Sequence, residues 1–174
     1  MQNVFCHNCS ILPHQTTLVR IRGWLTENTI GFEELHHKPT RTSEDSARVR
    51  GESTQIGAKA LLIKVDKKFG LFVLSAELRA NSRAIRDHLK ARRTRFATTD
   101  ELRDLTGLVP GSVPPFGEPI LPFRLYVDES IRQLDRIAFN AGSLTDSIFL
   151  STEDYFRIAG AEVFSFGVAP EPRA

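Results

Sequence analysis

A lysine and a glycine- and proline-rich loop are the parts of this sequence whose residue types could do chemistry. Lys59 lies in an apolar stretch, 58–63, among alanine, leucine and isoleucine side chains. Such a lysine either extends its ammonium to solvent or holds a point charge in a partly apolar cleft, where it would attract a carbonyl, carboxylate or phosphate oxygen. The residue types alone favour the first interpretation and leave the second open.

The loop, residues 106–117, reads Thr-Gly-Leu-Val-Pro-Gly-Ser-Val-Pro-Pro-Phe-Gly. Proline fixes φ and removes a backbone donor, whereas glycine reaches φ values closed to other residues, so the pattern predicts a rigid, shaped loop. At Gly111 no Cβ would hinder a ligand, and the N–H groups of Gly111 and Ser112 could donate to an oxygen. A structural crossover between two elements is the alternative, since loop glycines usually serve turns.

Further motifs accompany this loop in a fixed order. They are His37-Lys38-Pro39 with Thr42-Ser43-Glu44, Lys59-Ala60-Leu61, Tyr126-Val127-Asp128-Glu129-Ser130 and Asn140-Ala141-Gly142-Ser143. Together with the loop they resemble the YbaK/prolyl-tRNA-synthetase-associated domain family over about residues 16–167. Members of that family are aminoacyl-tRNA deacylases.

The resemblance implies a free-standing trans-editing enzyme that hydrolyses the ester between a mischarged small amino acid (Ala, Ser, Thr or Cys) and tRNA. Lys59 falls on the family's functional lysine; it would polarise the substrate while backbone N–H groups at Gly111 and Ser112 hold the oxyanion and water attacks. The implied substrate-binding residues are Gly107, Pro110, Ser112, Gly142 and Ser143, and the implied catalytic residues are Lys59 and Gly111. Aminoacyl-tRNA is the implied partner, with a synthetase as a further one. No cofactor, metal, DNA or membrane is expected.

Departures from the family pattern leave open which amino acid is removed from tRNA, and they leave two other functions open. Ala60 stands where many members have Thr or Asn, which is compatible with a non-catalytic tRNA-binding or synthetase-associated module. A small-molecule ester or amide hydrolase is a third hypothesis. No histidine follows His88, unlike the alanyl-specific branch, and the turn at 142–147 differs from that of the cysteinyl-specific branch. A serine- or threonine-directed or broad-specificity deacylase is therefore at least as well supported.

Basic residues share one face of a predicted helix. Arg83, Arg86 and Lys90 are spaced i, i+3 and i+7, with three more arginines at 92, 93 and 95. Such a face is usually just solvated. Because the resemblance implies a tRNA substrate, this basic face is a weak candidate for phosphate contacts along the acceptor stem.

Composition favours one globular domain with a proper core, since the chain has 174 residues and is 41% hydrophobic. No apolar run approaches the ~20 residues that cross a bilayer, and the N-terminus lacks signal-peptide features, so a cytoplasmic location is expected. A net charge of +2 is too small to indicate nucleic-acid binding by itself. We predict a poorly ordered leader over 1–14, the editing domain over 15–168 and a tail over 169–174. We interpret the segment that contains Cys6 and Cys9 as a poorly ordered leader rather than as a metal-binding or redox-active pair.

Periodicity and capping residues predict the elements that position these groups. Helices are expected over 15–27, with Trp24 in the core, and over 42–50, 82–91, 100–105 and 153–158, capped in three cases by Thr42, Thr99 and Thr152. Strands are expected over 32–36, 59–65, 71–75, 120–127, 137–140, 147–150 and 162–166, with a hairpin loop at 66–70. Interleaved helices and hairpins predict an α+β (mixed α/β) fold with a mixed sheet. The resemblance implies a highly curved mixed sheet flanked by helices.

Overall fold

The computed structural model of the chain describes residues 16–170. The α-helices in this range are α1 (Thr17–Glu27), α2 (Ser43–Arg50), α3 (Ser82–Leu89), α4 (Thr99–Thr106) and α5 (Thr152–Ala159). The strands are β1 (Glu33–His36), β2 (Ala58–Val65), β3 (Lys68–Ser75), β4 (Arg79–Ala80), β5 (Thr94–Phe96), β6 (Arg124–Val127), β7 (Arg136–Asn140), β8 (Asp146–Ser151), β9 (Glu162–Val163) and β10 (Gly167–Val168). The predicted leader, with Cys6 and Cys9, and residues 171–174 lie outside the described residues.

The strands form a mixed arrangement, which confirms the predicted fold class. The largest sheet has the order β5-β2-β3-β6-β9, in which β2 pairs antiparallel with β3 and β5 while β3-β6 and β6-β9 are parallel. A second, antiparallel sheet has the order β1-β8-β7, and β4 pairs with β10. A parallel bridge between Gly57 and Ala138 connects the start of β2 to β7. The strands therefore divide between neighbouring sheets that meet where β2 begins.

The large sheet has an apolar layer on each face because side chains alternate along a strand. On one face Leu62, Leu71 and Val127 pack in a cluster that includes Ile21 and Leu25 of α1. The other face carries a second cluster, with Ile63, Phe72 and Leu74 of the sheet and Ile85 of α3. Trp24 is only partly buried, and it packs on the first cluster with its ring edge-on to Phe116 at 5.1 Å between centroids.

Four of the five helix starts agree with the sequence to within one residue, and α1 begins at Thr17, two residues after the predicted start. The Thr42 side chain accepts the Asp45 N–H and caps α2 as predicted. The caps expected at Thr99 and Thr152 are wrong by one position, since Thr98 forms a capping box with Glu101 and Ser151 caps α5. In both cases two hydroxyl residues are adjacent, and the one nearer the N-terminus is the cap.

Two of the predicted strands and the predicted hairpin loop are longer than the structure shows. The apolar run 120–127 is strand only from Arg124, because the N–H groups of Ile120 and Leu121 both donate to the Gly117 carbonyl and form a turn. The expected strand over 162–166 is paired only at Glu162–Val163. The hairpin loop at 66–70 narrows to two residues, 66 and 67, with Asp66 at φ 51°. In the part of the chain described, no helix is long and apolar enough to cross a membrane.

Candidate active site

Lys59 is held inside the fold by two backbone carbonyls. Its Nζ donates to the Leu78 oxygen at 2.6 Å and to the Ala76 oxygen at 3.4 Å. The side chain is half-buried, and burial lowers the pKa of its ammonium below the usual value for lysine. A lysine ammonium has three donors, so one remains for a substrate oxygen. The structure therefore does not show a lysine that simply extends its ammonium to solvent.

Lys59 and Gly111 line the same pocket, as the sequence predicts. The pocket has a volume of about 200 Å³ and lies between α2, the start of β2, the end of β7 and the glycine-proline loop. Its other walls are mostly small or hydroxyl-bearing: Ser43, Ser46, Ala47, Thr54, Ala58, Ala60, Ala76 and Ala138. A cavity of this size and lining suits a small polar group, since hydroxyls can donate and accept.

Arg50 lines this pocket together with the cations Lys59 and Arg41, and sequence reasoning missed it. It is the last residue of α2; its Nη2 donates to Asn140 Oδ1 at 2.7 Å and its Nε to Ser147 Oγ at 2.9 Å. Burial lowers the pKa of its guanidinium to about 10. Among residues 16–170 no carboxylate forms an ion pair with it. Its charge is thus left for an anionic or strongly polar ligand.

A polar network holds Arg50 in place. The buried Ser147 hydroxyl lies 2.7 Å from His37 Nε2 and donates to Asn140 Oδ1 at 3.2 Å. His37 belongs to one of the family motifs, and the fold places it beside this serine, 110 residues away in the sequence. Ser147 does not line the pocket, so the contact positions Arg50 and presents no serine nucleophile to a ligand.

Gly111 is required by the path of the loop. Its φ is +88°, and a Cβ there would lie 3.3 Å from both the Arg41 carbonyl oxygen and a Leu144 methyl. The missing Cβ thus makes room for protein atoms rather than for a ligand. The Gly111 carbonyl accepts from Asn140 Nδ2 at 2.8 Å, while its N–H donates to no atom in the described chain.

Ser112 departs from its predicted role as a second backbone donor. Its N–H donates to the Val109 carbonyl at 3.1 Å, and its hydroxyl donates to the same oxygen at 2.9 Å. The residue is buried and its N–H is already engaged, so Gly111 is left as the loop donor available to substrate.

The other predicted substrate-binding residues do not line the pocket. Gly107 ends α4 in the left-handed conformation, and Pro110 is exposed beside it. Gly142 has φ +84°, and a Cβ there would come within 2.5 Å of Thr17, so it packs against the start of α1. Ser143 donates to Asp146 at 2.5 Å. These four positions therefore belong to the chain around the pocket, because each either contacts other protein atoms or is exposed away from the pocket lining.

Asp146 anchors the turn that contains Gly142 and Ser143. Burial by itself would raise the pKa of its carboxyl, but hydrogen bonds from His36, Ser143 and Thr145 outweigh burial and lower the pKa to about 2. The carboxylate is thus a structural acceptor.

The predicted basic face lies elsewhere on the molecule. Arg83 pairs with Asp87 at 3.8 Å on the exposed surface of α3, and Lys90 follows the end of that helix. Arg86 lies beside Thr94 of β5, at the edge of the large sheet. In residues 16–170 no three His, Cys, Asp or Glu side chains are grouped as metal ligands.

Comparison with known proteins identifies the family of the chain. Residues 37–158 match the profile of the family described as the aminoacyl-tRNA editing domain. The chain is 34% identical over 153 residues to the multifunctional Ser/Thr-tRNA deacylase ProXp-y of Escherichia coli strain K12, which spans 84% of this chain and 90% of that protein. It is 32% identical over 101 residues to a proline–tRNA ligase of Shouchella clausii, covering 58% of this chain but 18% of the ligase.

A solved structure shares the fold. The crystal structure of a candidate trans-editing enzyme for prolyl-tRNA synthetase superposes with a TM-score of 0.77 at 23% identity, over 90% of this chain and all of that one. At this identity the likeness concerns the fold alone.

Proposed function

The chain belongs to the aminoacyl-tRNA editing domain family, and from this premise we propose that it removes serine or threonine from mischarged tRNA. Family membership and the ProXp-y relative make it an aminoacyl-tRNA hydrolase that acts on an ester bond in trans. The amino acid, the roles of individual residues and any partner beyond tRNA are the parts that we propose.

The observation that carries the proposal is that two cations, Lys59 and Arg50, line the same small pocket beside several hydroxyl groups. Both cations are held by neutral oxygens, so their charges stay available, whereas a carboxylate partner would cancel them. A low-dielectric pocket strengthens the attraction of such charges for a carbonyl oxygen or a phosphate. An esterified ribose at the end of a tRNA offers both groups.

In the mechanism that we propose, Lys59 donates its remaining N–H to the substrate and the Gly111 N–H meets the carbonyl oxygen as it becomes negative. A water oxygen adds to the carbonyl carbon, the ester C–O bond breaks, and the ribose hydroxyl leaves with a proton derived from that water. Loss of one donor of this kind costs on the order of 10²–10³ in rate. Water is the proposed nucleophile, because no serine or cysteine with an activating base lines the pocket among the described residues.

Selectivity for serine and threonine follows from size and lining. The walls that carry alanine leave space for a short side chain, and the volume of about 200 Å³ restricts a long one. Ser43 offers a hydroxyl partner to a substrate hydroxyl, and Ser46 and Thr54, whose hydroxyls donate to Thr40 and Glu77, can still accept from it. A site that hydrogen-bonds a substrate hydroxyl discriminates strongly against an analogue that lacks it, whereas a single methylene is worth about 1–3 kcal/mol.

We further propose that the enzyme acts in the cytoplasm, where charged tRNA is used, and that a synthetase is a second partner. The similarity to proline–tRNA ligases supports the latter, since the matching part is a fraction of those larger proteins.

A deacylation panel tests the proposal. tRNAs charged with Ser, Thr, Ala, Cys and Pro are incubated with wild-type protein and with Lys59→Ala, and the remaining ester is measured over time. We expect seryl- and threonyl-tRNA to be hydrolysed fastest, and only by the wild type. Preference for alanyl- or cysteinyl-tRNA would overturn the substrate assignment. Binding of tRNA without hydrolysis of any ester would identify a non-catalytic module instead.

A further inference from the structure

A second concave surface lies at the far end of β2 from the pocket, and we name it the edge cleft. Its volume is about 550 Å³, and its lining includes Lys64, Asp66, Arg86, Arg92, Arg93 and Arg95. Five of these six side chains are cationic, so the surface attracts anions.

The cations of the edge cleft fall into two groups. Arg95 and Lys64 both face Glu101, at 2.6 Å and 3.9 Å, which offsets part of their charge. Arg86, Arg92 and Arg93 form no ion pair with any residue in 16–170. These three guanidinium groups are the ones whose charge is free for a ligand.

The backbone beneath the arginines is fixed. The Asp66 carboxylate accepts the N–H groups of Arg92 and Arg93, at 3.0 Å and 2.9 Å, and so ties the loop before β5 to the β2-β3 turn. Because the carboxylate is engaged by backbone donors, the two exposed side chains extend from an ordered loop. Arg86 joins them from α3, with its Nη1 3.5 Å from the Thr94 hydroxyl.

An exposed aromatic residue lies on the same strand as Arg95. Phe96, the last residue of β5, is 55% exposed, and β5 is an edge strand of the large sheet. A single exposed phenylalanine is normal on a protein surface, so its significance depends on the arginines near it. Aromatic rings beside arginines are the combination with which proteins bind RNA, since rings stack on bases and guanidinium groups contact phosphates.

We infer that the edge cleft and Phe96 bind the acceptor end of the substrate tRNA, a site additional to the pocket. This inference rests on the proposed function. Lys59 and Lys64 are five residues apart on β2, or about 17 Å along the strand at ~3.4 Å per residue. Their side chains leave opposite faces of the sheet, so an RNA strand that meets both passes around the edge where β5 pairs only with residues 63–65. The span along the strand equals about five stacked nucleotides of one RNA strand. With the esterified ribose at Lys59, the edge cleft meets phosphates a few nucleotides upstream, and Phe96 stacks on a base there.

The edge cleft overlaps only in part with the basic face predicted from sequence. Of Arg83, Arg86 and Lys90, only Arg86 lines the edge cleft; the chain that follows α3 supplies the other unpaired arginines.

The first experiment neutralises Arg86, Arg92 and Arg93 together, each to Gln. A matched control neutralises Arg103, Arg132 and Arg157, which are ion-paired on other surfaces. Affinity for uncharged tRNA is measured across salt concentrations, beside a thermal melt. We expect the log–log salt slope to fall by about 2 in the cleft variant and to stay unchanged in the control. Equal slopes in both variants would overturn the inference.

Two substrates separate the edge cleft from the pocket. The cleft variant and wild type are compared on full-length seryl- or threonyl-tRNA and on the same amino acid esterified to adenosine, which has no upstream phosphates. We expect kcat/KM to fall at least tenfold on tRNA and to stay unchanged on the adenosine ester. Equal losses on both would place the arginines in the pocket chemistry and overturn the inference. If wild type hydrolyses neither ester, the proposed function fails while the salt slopes still decide the edge cleft.

The stacking role has its own pair of variants. Phe96→Leu keeps an apolar side chain without an aromatic face and is expected to weaken tRNA binding about fivefold or more, whereas Phe96→Tyr retains wild-type affinity. Equal affinities for Leu and Tyr would remove stacking from the inference.

Discussion

The pocket and the edge cleft both collect cations, but they hold them in opposite ways. In the pocket, Lys59 and Arg50 are part-buried and each donates to neutral oxygens at fixed distances. In the edge cleft, Arg92 and Arg93 are exposed and their side chains are unpaired in the described chain. A cation that is fixed by its neighbours suits one atom of a reacting group, whereas an exposed, unpaired cation suits phosphates along a strand. The contrast predicts that pocket variants change rate and cleft variants change affinity.

The largest effect is expected from Lys59→Ala. Removal of the ammonium should lower the single-turnover rate of deacylation by about 10²–10³, because the lost donor acts on the reacting carbonyl. The melting temperature should fall little, since the group supports carbonyls at the pocket rim rather than the core. Activity within about threefold of wild type, under ~1 kcal/mol in the barrier, would remove Lys59 from the chemistry and break the contrast.

Arg50→Ala should have the second largest effect, roughly tenfold to a hundredfold in kcat/KM. Hydrogen bonds to charged groups are worth about 1.5–3 kcal/mol, and this variant also leaves Asn140 and Ser147 with unmatched groups. The control is Arg48→Ala on the same helix, whose exposed guanidinium pairs with Asp45 at 3.4 Å. Equal activity in the two variants would show that Arg50 serves structure alone, which unfolding curves would then confirm.

A comparison of Gly111→Val with Ser112→Ala tests the loop, with smaller expected effects. A β-branched residue at φ +88° is strained, and its Cβ would press on Arg41 and Leu144, so we expect a loss of about 1–3 kcal/mol in stability together with reduced activity. Ser112→Ala removes a hydroxyl bonded to Val109 and leaves the backbone N–H of Gly111 in place, so its rate should stay close to wild type. A Gly111→Val protein that melts and deacylates normally would exclude the backbone donor.

The smallest effect is expected in the pH dependence. Burial lowers the pKa of Lys59, so its charge is lost as pH rises through a value below that of an ordinary lysine. The enzymatic rate, corrected for spontaneous ester hydrolysis, should therefore decline as pH rises on the alkaline side. The proposed tRNA contacts use guanidinium groups rather than an amine, so tRNA affinity should not change over the same range. Parallel declines of rate and affinity would show that the two regions are not independent.

Sequence reasoning located the pocket but not all of its residues. Lys59 and the loop around Gly111 were identifiable because their motifs are local and resemble a known family. Arg50 looks like any basic residue in the last turn of a helix, where cations are favoured by the helix dipole. Its partners Asn140 and Ser147 are 90 and 97 residues away, so only the fold reveals the site.

Local pattern also misassigned residues that tertiary packing uses in another way. Ile120 and Leu121 are apolar because they are buried, yet their N–H groups close a turn on Gly117. Gly142 and Ser143 resemble a substrate wall, but the space beside the glycine is filled by Thr17. Such outcomes depend on contacts between distant segments, which periodicity and motif spacing do not encode.

The Asn140 side chain has a consequence for how this site can diverge. Its amide oxygen accepts from Arg50 and its amide nitrogen donates to the Gly111 carbonyl, so one residue joins the guanidinium to the loop. A carboxylate there would lose the donor and an aliphatic group would lose both contacts, which makes substitutions at the three positions strongly epistatic. New amino-acid preferences would therefore evolve most readily through the unlinked alanines of the wall, such as Ala60 and Ala76, while the joined trio is inherited as a unit.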